Sequence, residues 1–405
     1  RPLARLGWLR LILVIASLWL FSIIAGGQPS VLRSAVMFTF LATARATDRK
    51  TNIFNTLAMS AFVLLAWNPL WLWDAGFQLS YGALVGILVF YQPLSRWLLF
   101  SNRMLVFLWQ LVAVTLTAQV FTLPISIFWF HQVPLLFMLS NIVAVPLSGI
   151  ILMGEIFFCI ISFVPLLAEA VAGLLQFMIR LMNGYVERID SISFSVWQDL
   201  YLPLPAVLLL GVLFCSFCMW VMWRQHGWVY IGLLSLAAMT GILRSRIHAQ
   251  LSQSRIIVYN LPGRSMTDLV LSRSAYTYPD HATGNDAFML KMHIAPSRLM
   301  HGITGTQVMH AGVYHAGPAT IAVLDSTNAG RVFKLSKVDL LIVTGKKTRD
   351  SETILSRVRP GFVVADGSMP EWAAIHWKRA CSARKVPFHH VLTDGCYARD
   401  LTSLR

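Results

Sequence analysis

The sequence has few charged residues for its length. Only 13% of its 405 residues are Asp, Glu, Lys or Arg, whereas 56% are hydrophobic. Soluble domains are usually about a quarter charged. Several apolar runs reach the roughly 18 to 20 residues that a helix needs to cross a bilayer. The composition therefore favours a polytopic helical membrane protein, in which each backbone polar group is satisfied within its own helix.

Cysteines are also few, and they do not form a disulfide framework. The pair Cys215 and Cys218 has CxxC spacing but lies inside the apolar run 207–221. Burial as small apolar side chains is favoured there over redox or metal chemistry. The sequence also lacks internal repeats, heptads and a signal-peptide cleavage pattern, and it opens with Arg-Pro. We expect it to lack its natural N-terminus.

Acidic residues are scarcer than basic ones in both parts of the chain. Residues 1–247 carry 14 Lys and Arg against 7 Asp and Glu, and residues 248–405 carry 19 against 11, for a net charge of +15. This excess suits a polyanion such as DNA. It also suits anionic lipid head groups and positive-inside topology signals, the commoner cause in a membrane protein. The charges leave the sidedness of the chain open.

Membrane segments are predicted throughout the first 247 residues. The segment 31–46 is shorter and carries Arg33 and Arg45, so we expect it to be re-entrant, interfacial or buried in the bundle. The run 133–165 is too long for one straight crossing, and Pro146 and Gly149 are expected to break it. We predict an α-helical bundle of about eight to ten membrane helices, with apolar segments at 8–27, 53–68, 76–92, 104–130, 133–165, 167–187, 203–223 and 228–244.

From about residue 248 the composition becomes that of a soluble α/β domain. Strand-like and helix-like runs alternate near the end of the chain, which indicates layers of sheet and helix. We predict two domains, a membrane domain at 1–247 and a soluble α/β domain at 248–405. Strands are predicted at 255–261, 320–324, 338–344, 361–366 and 387–392, and helices at 351–358 and 371–384.

A polar junction interrupts two apolar helices between residues 68 and 80. Asn68 and Pro69 are expected to end the first helix, and Asp74 to cap the second and complement its dipole. Gln78 and Ser80 follow on an otherwise apolar helix. Such groups usually face the bundle interior, where they hold helices together or line a water-filled path. The chemistry alone favours the first role.

The junction resembles the competence domain of the ComEC family, in which an Asn-Pro, an acidic residue and a Gly-Phe-Gln-Leu-Ser pattern join two membrane helices. A similar block lies upstream at 29–37, and two more lie downstream at 117–124 and 141–147. Arg45 and Asn55 also match, and the resemblance covers about 10–240. We expect the residues of this pattern to be structural: Asn68, Pro69, Asp74, Gly76, Phe77, Ser80, Pro124 and Pro146.

The resemblance implies a multi-pass channel that takes single-stranded DNA across the bacterial cytoplasmic membrane during natural transformation. Its implied partners are single-stranded DNA, membrane lipids and other proteins of the competence machinery. Such a path needs water, positive charge against phosphates and surfaces for bases. The candidate polar lining is Arg33, Arg45, Gln78, Gln119 and Asn141. The alternative is that Arg33 and Arg45 lie at the membrane–water interface and extend their charged ends toward the lipid head groups.

The last domain of many ComEC-like proteins resembles a metallo-β-lactamase-type nuclease with an HxHxDH metal-ligand cluster. Here the strand at 338–343 is followed by Thr344, Gly345, Lys346 and Lys347, where a His-rich turn is expected. The nearest match to the main cluster, 276–281, has Tyr276 and Tyr278 in place of histidines and is interpreted as coincidence, since its flanks do not indicate a strand. The resemblance therefore implies a degenerate domain that binds no metal or other cofactor and is not an enzyme.

Two alternatives stay open at this point. One is a membrane-anchored, metal-dependent nuclease or other hydrolase whose ligands are not recognisable. The other is a small-solute transporter with a basic C-terminal domain, which would be expected to show inverted repeats. The basic pairs at 346–347, 378–379 and 384–385 either touch DNA or, as their type more often does, form a solvated face.

Overall fold

The computed structural model describes residues 2–47, 49, 52–279, 284, 286–317, 319–325, 337–345 and 351–401, with the side chains of 2–7 and 287 outside this description. The chain forms two compact units, Arg1–Thr240 and Gly241–Arg405. The first unit is helical, and the second contains two β-sheets.

The helical unit is built from long apolar helices. Six of the described helices, α4 to α9, are long and apolar enough to cross a membrane. Two further apolar helical segments in the described part of the chain, Trp8–Ile24 and Ile53–Trp67, are shorter than these six, and eight to ten membrane helices were expected. The helices are α1 Pro2–Ile24, α2 Pro29–Ala46, α3 Ile53–Trp67, α4 Ala75–Ser95, α5 Arg103–Phe130, α6 Phe137–Ile161, α7 Pro165–Asp190, α8 Leu204–Trp223 and α9 His226–Ser252.

The prediction that the apolar run 133–165 is broken at Pro146 and Gly149 is wrong. Helix α6 runs unbroken from Phe137 to Ile161 with Pro146 inside it, and a two-residue pairing of β1 (Val133–Pro134) with β2 (Val196–Trp197) accounts for the start of the run. Proline removes one backbone donor, and membrane helices tolerate this where neighbouring groups adjust. Helix α5 likewise continues through the buried Pro124.

Helices α4 and α5 approach each other closely at two glycines of α4. Gly82 lies against Phe121 and Ile125, and a Cβ added at Gly86 would overlap the carbonyl oxygen of Thr117. Small residues four apart permit this kind of contact between membrane helices. The spacing Gly82-Ala83-Leu84-Val85-Gly86 was visible in the sequence and would have located this interface.

The second unit is a four-layer sandwich of helices, sheet, sheet and helices. One sheet has the order β12-β3-β4-β5-β6 and the other has the order β11-β10-β9-β8-β7. The strands are β3 Ser254–Val258, β4 Met266–Leu271, β5 Ser274–Pro279, β6 Gly305–Val308, β7 Val313–Ala316, β8 Ala319–Leu324, β9 Lys337–Val343, β10 Arg359–Ala365, β11 Phe388–His390 and β12 Tyr397–Asp400.

Helices cover both outer faces of this sandwich. A π-helical turn, Leu290–Ile294, and α10 (Ala295–His301) lie on the first sheet, where Ile294 is buried among residues of β3, β4 and β5. Helices α11 (Ser351–Arg357) and α12 (Glu371–Ala383) pack on the second sheet. A short helix, α13 (Val391–Asp394), follows β11, and Val391 belongs to the core between the sheets.

The sequence predictions located five of the strands β3 to β12, chiefly those with continuous apolar runs. The predicted strands overlap β3, β8, β9, β10 and β11, whereas β4 to β7 and β12 were not predicted. The interpretation of 276–278 as lying outside a strand is wrong, because β5 pairs with β4 along its whole length. Its Ser-Ala-Tyr-Thr-Tyr-Pro sequence lacks the aliphatic residues that indicated the other strands.

Candidate functional site

Arg33 is placed between α2 and α4. Pro29, at the first turn of α2, starts the helix that carries it. Its Nε donates to Ser80 Oγ at 2.6 Å, and its Nη2 donates to Ser34 Oγ at 3.4 Å. The guanidinium also lies 5.8 Å from the centre of the Tyr81 ring, within cation–π range. Arg33 is thus half-buried against α4.

Tyr81 extends this contact to a third helix. Its hydroxyl shares a hydrogen bond of 2.9 Å with Ser60 of α3, and its ring packs against Phe77 with centroids 4.4 Å apart. We call Arg33, Ser60, Ser80 and Tyr81 the Arg33 network. It joins α2, α3 and α4 through polar groups inside an apolar bundle. Sequence reasoning missed Ser60 and gave Tyr81 no role, because their meeting depends on how the helices pack.

The junction before α4 is ordered by side-chain caps. Asn68 Oδ1 accepts from Leu70 N at 3.0 Å and begins a 3₁₀ turn, Pro69–Trp73. Asp74 Oδ1 accepts from Phe77 N at 2.8 Å and caps α4. Gly76 lies beside that carboxylate, since a Cβ there would be 3.1 Å from Asp74 Oδ1. The predicted cap at Asp74 is confirmed.

Gln78 connects this junction to α5. Its Nε2 donates to the carbonyl of Leu72 at 2.8 Å, and its Oε1 accepts from Trp129 Nε1 at 2.9 Å. Both ends of the amide are therefore engaged with protein groups. This geometry matches the helix-holding role that the chemistry favoured.

The other candidate residues lie elsewhere in the helical unit. Gln119 accepts from Thr122 of its own helix at 3.1 Å. The carbonyl of Thr117 faces α4. Gln119 lies two residues further along α5, a rotation of about 200° about the helix axis, so it is on a different side of α5 from that contact. Asn141 is half-buried on α6. The five candidates are thus spread over four helices, and only Arg33 and Gln78 have described contacts with α4 or its junction.

Arg45 is exposed near the end of α2, about 18 Å along the helix from Arg33. It lines a cleft of about 430 Å³ together with Arg10 of α1. A neighbouring cleft of about 580 Å³ is lined by Arg49, Asn52 and Asn55. Further residues of α2 and α3 complete its lining. These clefts place positive charge and amides at one end of the first three helices.

The described residues at the strand ends of the second unit are joined by hydrogen bonds between hydroxyl, backbone and carboxylate groups. Thr344 follows β9 and donates to the Leu324 carbonyl at 3.1 Å, and Gly345 N donates to Ser368 Oγ at 2.7 Å. Ser368 Oγ in turn donates to the buried Asp366 at 2.6 Å. Among the described residues, no group of three or more His, Cys, Asp or Glu could hold a metal ion. Asp280, His281, Lys346 and Lys347 lie outside the described residues.

Tyr278 faces these strand ends from the other sheet. Burial raises the pKa of its hydroxyl, and the nearby carboxylates of Asp325 and Asp366 raise it further, against a hydrogen bond with Thr344 that lowers it. Tyr278, Thr344 and Ser368 thus supply hydroxyl groups at the described strand ends, beside the carboxylates of Asp325 and Asp366.

Comparison with known proteins covers both units. Residues 2–225 match the family model "Competence protein", and residues 256–401 match "ComEC C-terminal domain". The "ComE operon protein 3" of Bacillus subtilis (strain 168) is 30% identical over 193 residues, which are 47% of this chain and 21% of that relative. No solved structure matches the chain significantly. The chain therefore belongs to the ComEC competence protein family and is a multi-pass protein of the cytoplasmic membrane.

Proposed function

We propose that this chain forms part of a channel that carries single-stranded DNA across the cytoplasmic membrane during natural transformation. The observation that carries the proposal is a competence-family bundle in which Arg33 is held among apolar helices by Ser80 and Tyr81. A cation inside a membrane bundle is costly and usually marks a transport path. The chain matches 21% of the length of the relative from Bacillus subtilis, so it spans only part of that relative.

The arrangement of Arg33 supports contact with a phosphate. A guanidinium carries five N–H donors, and the bonds to Ser80 and Ser34 use two of them. The remaining donors suit the planar, bidentate recognition of a phosphodiester. Fixing one side of the group on α4 reduces the rotamer entropy that binding would cost. Arg33 is therefore the strongest member of the proposed DNA path.

The other polar residues have graded roles in this proposal. Arg45, with Arg10, offers positive charge at the mouth of the helical unit, where a strand would first meet it. Gln119 and Asn141 line the path on α5 and α6. Gln78 contributes mainly by holding the junction to Trp129. Asn68, Pro69, Asp74, Gly76, Phe77, Ser80, Pro124 and Pro146 shape the helices around it.

We further propose that the C-terminal domain is not catalytic and keeps a degenerate metallo-β-lactamase-like fold. Its helix, sheet, sheet, helix layering supports the fold, and the donors at its strand ends do not suit two metals. Its partners would be DNA or other proteins of the competence machinery. The exposed pair Lys378 and Arg379 on α12 is available for such contacts.

The test is transformation by the full-length protein carrying Arg33→Gln, Arg45→Gln or both. Losing a charge-assisted phosphate contact should lower the transformation frequency on the order of tenfold or more for Arg33→Gln, with unchanged membrane abundance and unchanged DNA bound at the cell surface. The matched control is Arg96→Gln, which removes an exposed arginine between α4 and α5. Arg33→Lys should rescue only in part, because an amine lacks the planar fork.

Two results would contradict this role. Normal transformation by the double variant would remove both arginines from the path. An equal fall in abundance and transformation would make Arg33 a structural residue that only joins α2 to α4.

A further inference from the structure

Large apolar side chains are exposed on one outer layer of the α/β unit. Phe288 is 65% exposed, Met292 58% and Met300 52%. The same segment turns other apolar residues inward, with Ile294 fully buried and Met289 packed against the first sheet. The segment is therefore apolar on its inner and its outer side. We call Phe288, Met292 and Met300 the outer apolar surface.

This surface is attached to the last turns of α9. Arg246 Nη2 donates to the carbonyl of Met300, and Gln253 Nε2, which directly follows α9, donates to the carbonyl of His301 at 2.7 Å. Gly302 lies against the side chain of Gln250. The end of α10 is thus held beside the helix through which the unit continues from the membrane domain.

Arg246 lies just beyond the apolar part of α9. The apolar part of α9 ends at Leu243, and Arg246 lies three residues further, about 4.5 Å along the axis. The polar layer on each side of a bilayer is about 5 to 8 Å thick. An arginine at this distance from an apolar membrane segment is suited to contact with lipid head groups.

The charges around the outer apolar surface are mainly positive. Lys291 and His293 are exposed on the same segment, and Arg244 is exposed on α9. Asp286, the acid closest in sequence, is paired with Arg264 at 2.8 Å. Apolar residues mixed with cations are typical of segments that lie in the plane of an anionic membrane surface.

We propose that the outer apolar surface lies in the head-group layer and contacts anionic phospholipids, so that the α/β unit rests on the membrane through the side formed by α10 and the preceding turn. Phe288 and Met292 enter the boundary between head groups and acyl chains. Lys291 and Arg244 meet lipid phosphates. The contact holds the domain at a fixed height above the bilayer.

The test places p-benzoylphenylalanine at position 288 or 292 of the full-length protein in nanodiscs of phosphatidylcholine with phosphatidylglycerol. Irradiation should yield lipid adducts at both positions. The matched control is position 372, because Trp372 is 51% exposed on α12, in the opposite outer layer. We expect on the order of tenfold more lipid adduct at 288 and 292 than at 372, since only the first two lie at head-group depth.

A second variant separates the charge from the apolar contact. Lys291→Glu should lower the adduct yield at position 292 in discs that contain phosphatidylglycerol and leave it unchanged in pure phosphatidylcholine. Adducts of 288 and 292 with peptides from residues 2–225 would overturn the proposal in favour of contact with the membrane domain. Equal lipid yields at 288, 292 and 372, or none at any of them, would overturn it as well.

Discussion

The two units of this chain use the same apolar residue types in opposite ways. In α6, Ile150, Phe157 and Ile160 are more than half exposed, whereas Leu340 and Ile342 of β9 are completely buried. The helices satisfy their backbones internally and can turn apolar side chains to lipid. The strands of the α/β unit bury theirs between its layers. The exposure of large apolar residues thus distinguishes the two units.

The units also differ in the charge that they bury. The bundle half-buries a cation, Arg33, against hydroxyl groups and a tyrosine ring. The α/β unit fully buries an anion, Asp268, which accepts from Arg298, Tyr259 and Thr277. A carboxylate with this many donors is a structural element, whereas a cation with unused donors is suited to a passing anion.

The largest expected effect is at Asp268. Asp268→Ala leaves the partly buried guanidinium of Arg298 without its bidentate partner and should destabilise the α/β unit by about 3 kcal/mol. Hydrogen exchange of β4 and β5 in the full chain measures the change. The matched control, Asp400→Ala, removes an exposed ion pair with Arg255 at 3.9 Å and should cost about 0 to 1 kcal/mol. Equal effects would mean that burial does not decide the strength of these pairs.

The next effect concerns the contact between α4 and α5. Gly86→Ala forces a methyl group against the carbonyl of Thr117 and should destabilise the bundle by roughly 1 to 3 kcal/mol. Gly149→Ala on α6 meets open space and should be neutral or stabilising by up to about 1 kcal/mol, because alanine favours the helix. Thermal unfolding in detergent compares them. If Gly86→Ala is as stable as Gly149→Ala, the close approach of α4 and α5 is not required.

A smaller effect is expected at the cap of α4. Asp74→Lys removes the bond to Phe77 N and puts a cation at a positive helix end, which together should cost on the order of 1 to 2 kcal/mol. Asp74→Asn keeps a capping oxygen and should lose much less. Detergent stability and expression report the change. An unaltered transition in Asp74→Lys would show that the junction does not depend on this cap.

The smallest effect is a pH dependence in the α/β unit. Burial lowers the pKa of His301, and the nearby cations of Arg255 and Arg246 lower it further. The unfolded chain therefore binds the proton more readily, so the free energy of unfolding should fall as pH drops below the ordinary histidine pKa of about 6.5. His301→Gln should flatten this slope in melting curves between pH 7 and 5. A slope of the same size in the variant would assign it to other groups.

The sequence predicted those parts of the fold that local patterns determine. Apolar length indicated α4 to α9, and the order Asn68, Pro69, Asp74 predicted the cap, because capping depends on neighbours within one turn. The continuous apolar runs of β9 and β10 predicted buried strands. Strand β4 was not predicted because Thr267 and Asp268, though buried, interrupt its apolar pattern. The buried carboxylate of Asp268 is paired with Arg298, which is distant in sequence.

The candidate site was predictable in its residue types but not in its contacts. Arg33 and Ser80 stood out as polar groups on apolar helices, but their pairing depends on the packing of α2 against α4. Gln78 was expected to line a path or to hold helices together, and its bond from Trp129 joins α4 to α5. The family resemblance indicated the candidate residues, and tertiary packing determines which of them are in contact.

The most direct test of the channel follows a single DNA strand during transport. A single strand that carries 4-thiothymidine and ends in a bulky duplex would be arrested in the full-length protein and photocrosslinked, and the modified peptides would be identified. The account predicts adducts on α2 and α4 near Arg33, and their reduction in Arg33→Gln at equal protein abundance. An arrested strand that leaves both helices unmodified, or an identical pattern in the variant, would contradict a DNA path beside the Arg33 network.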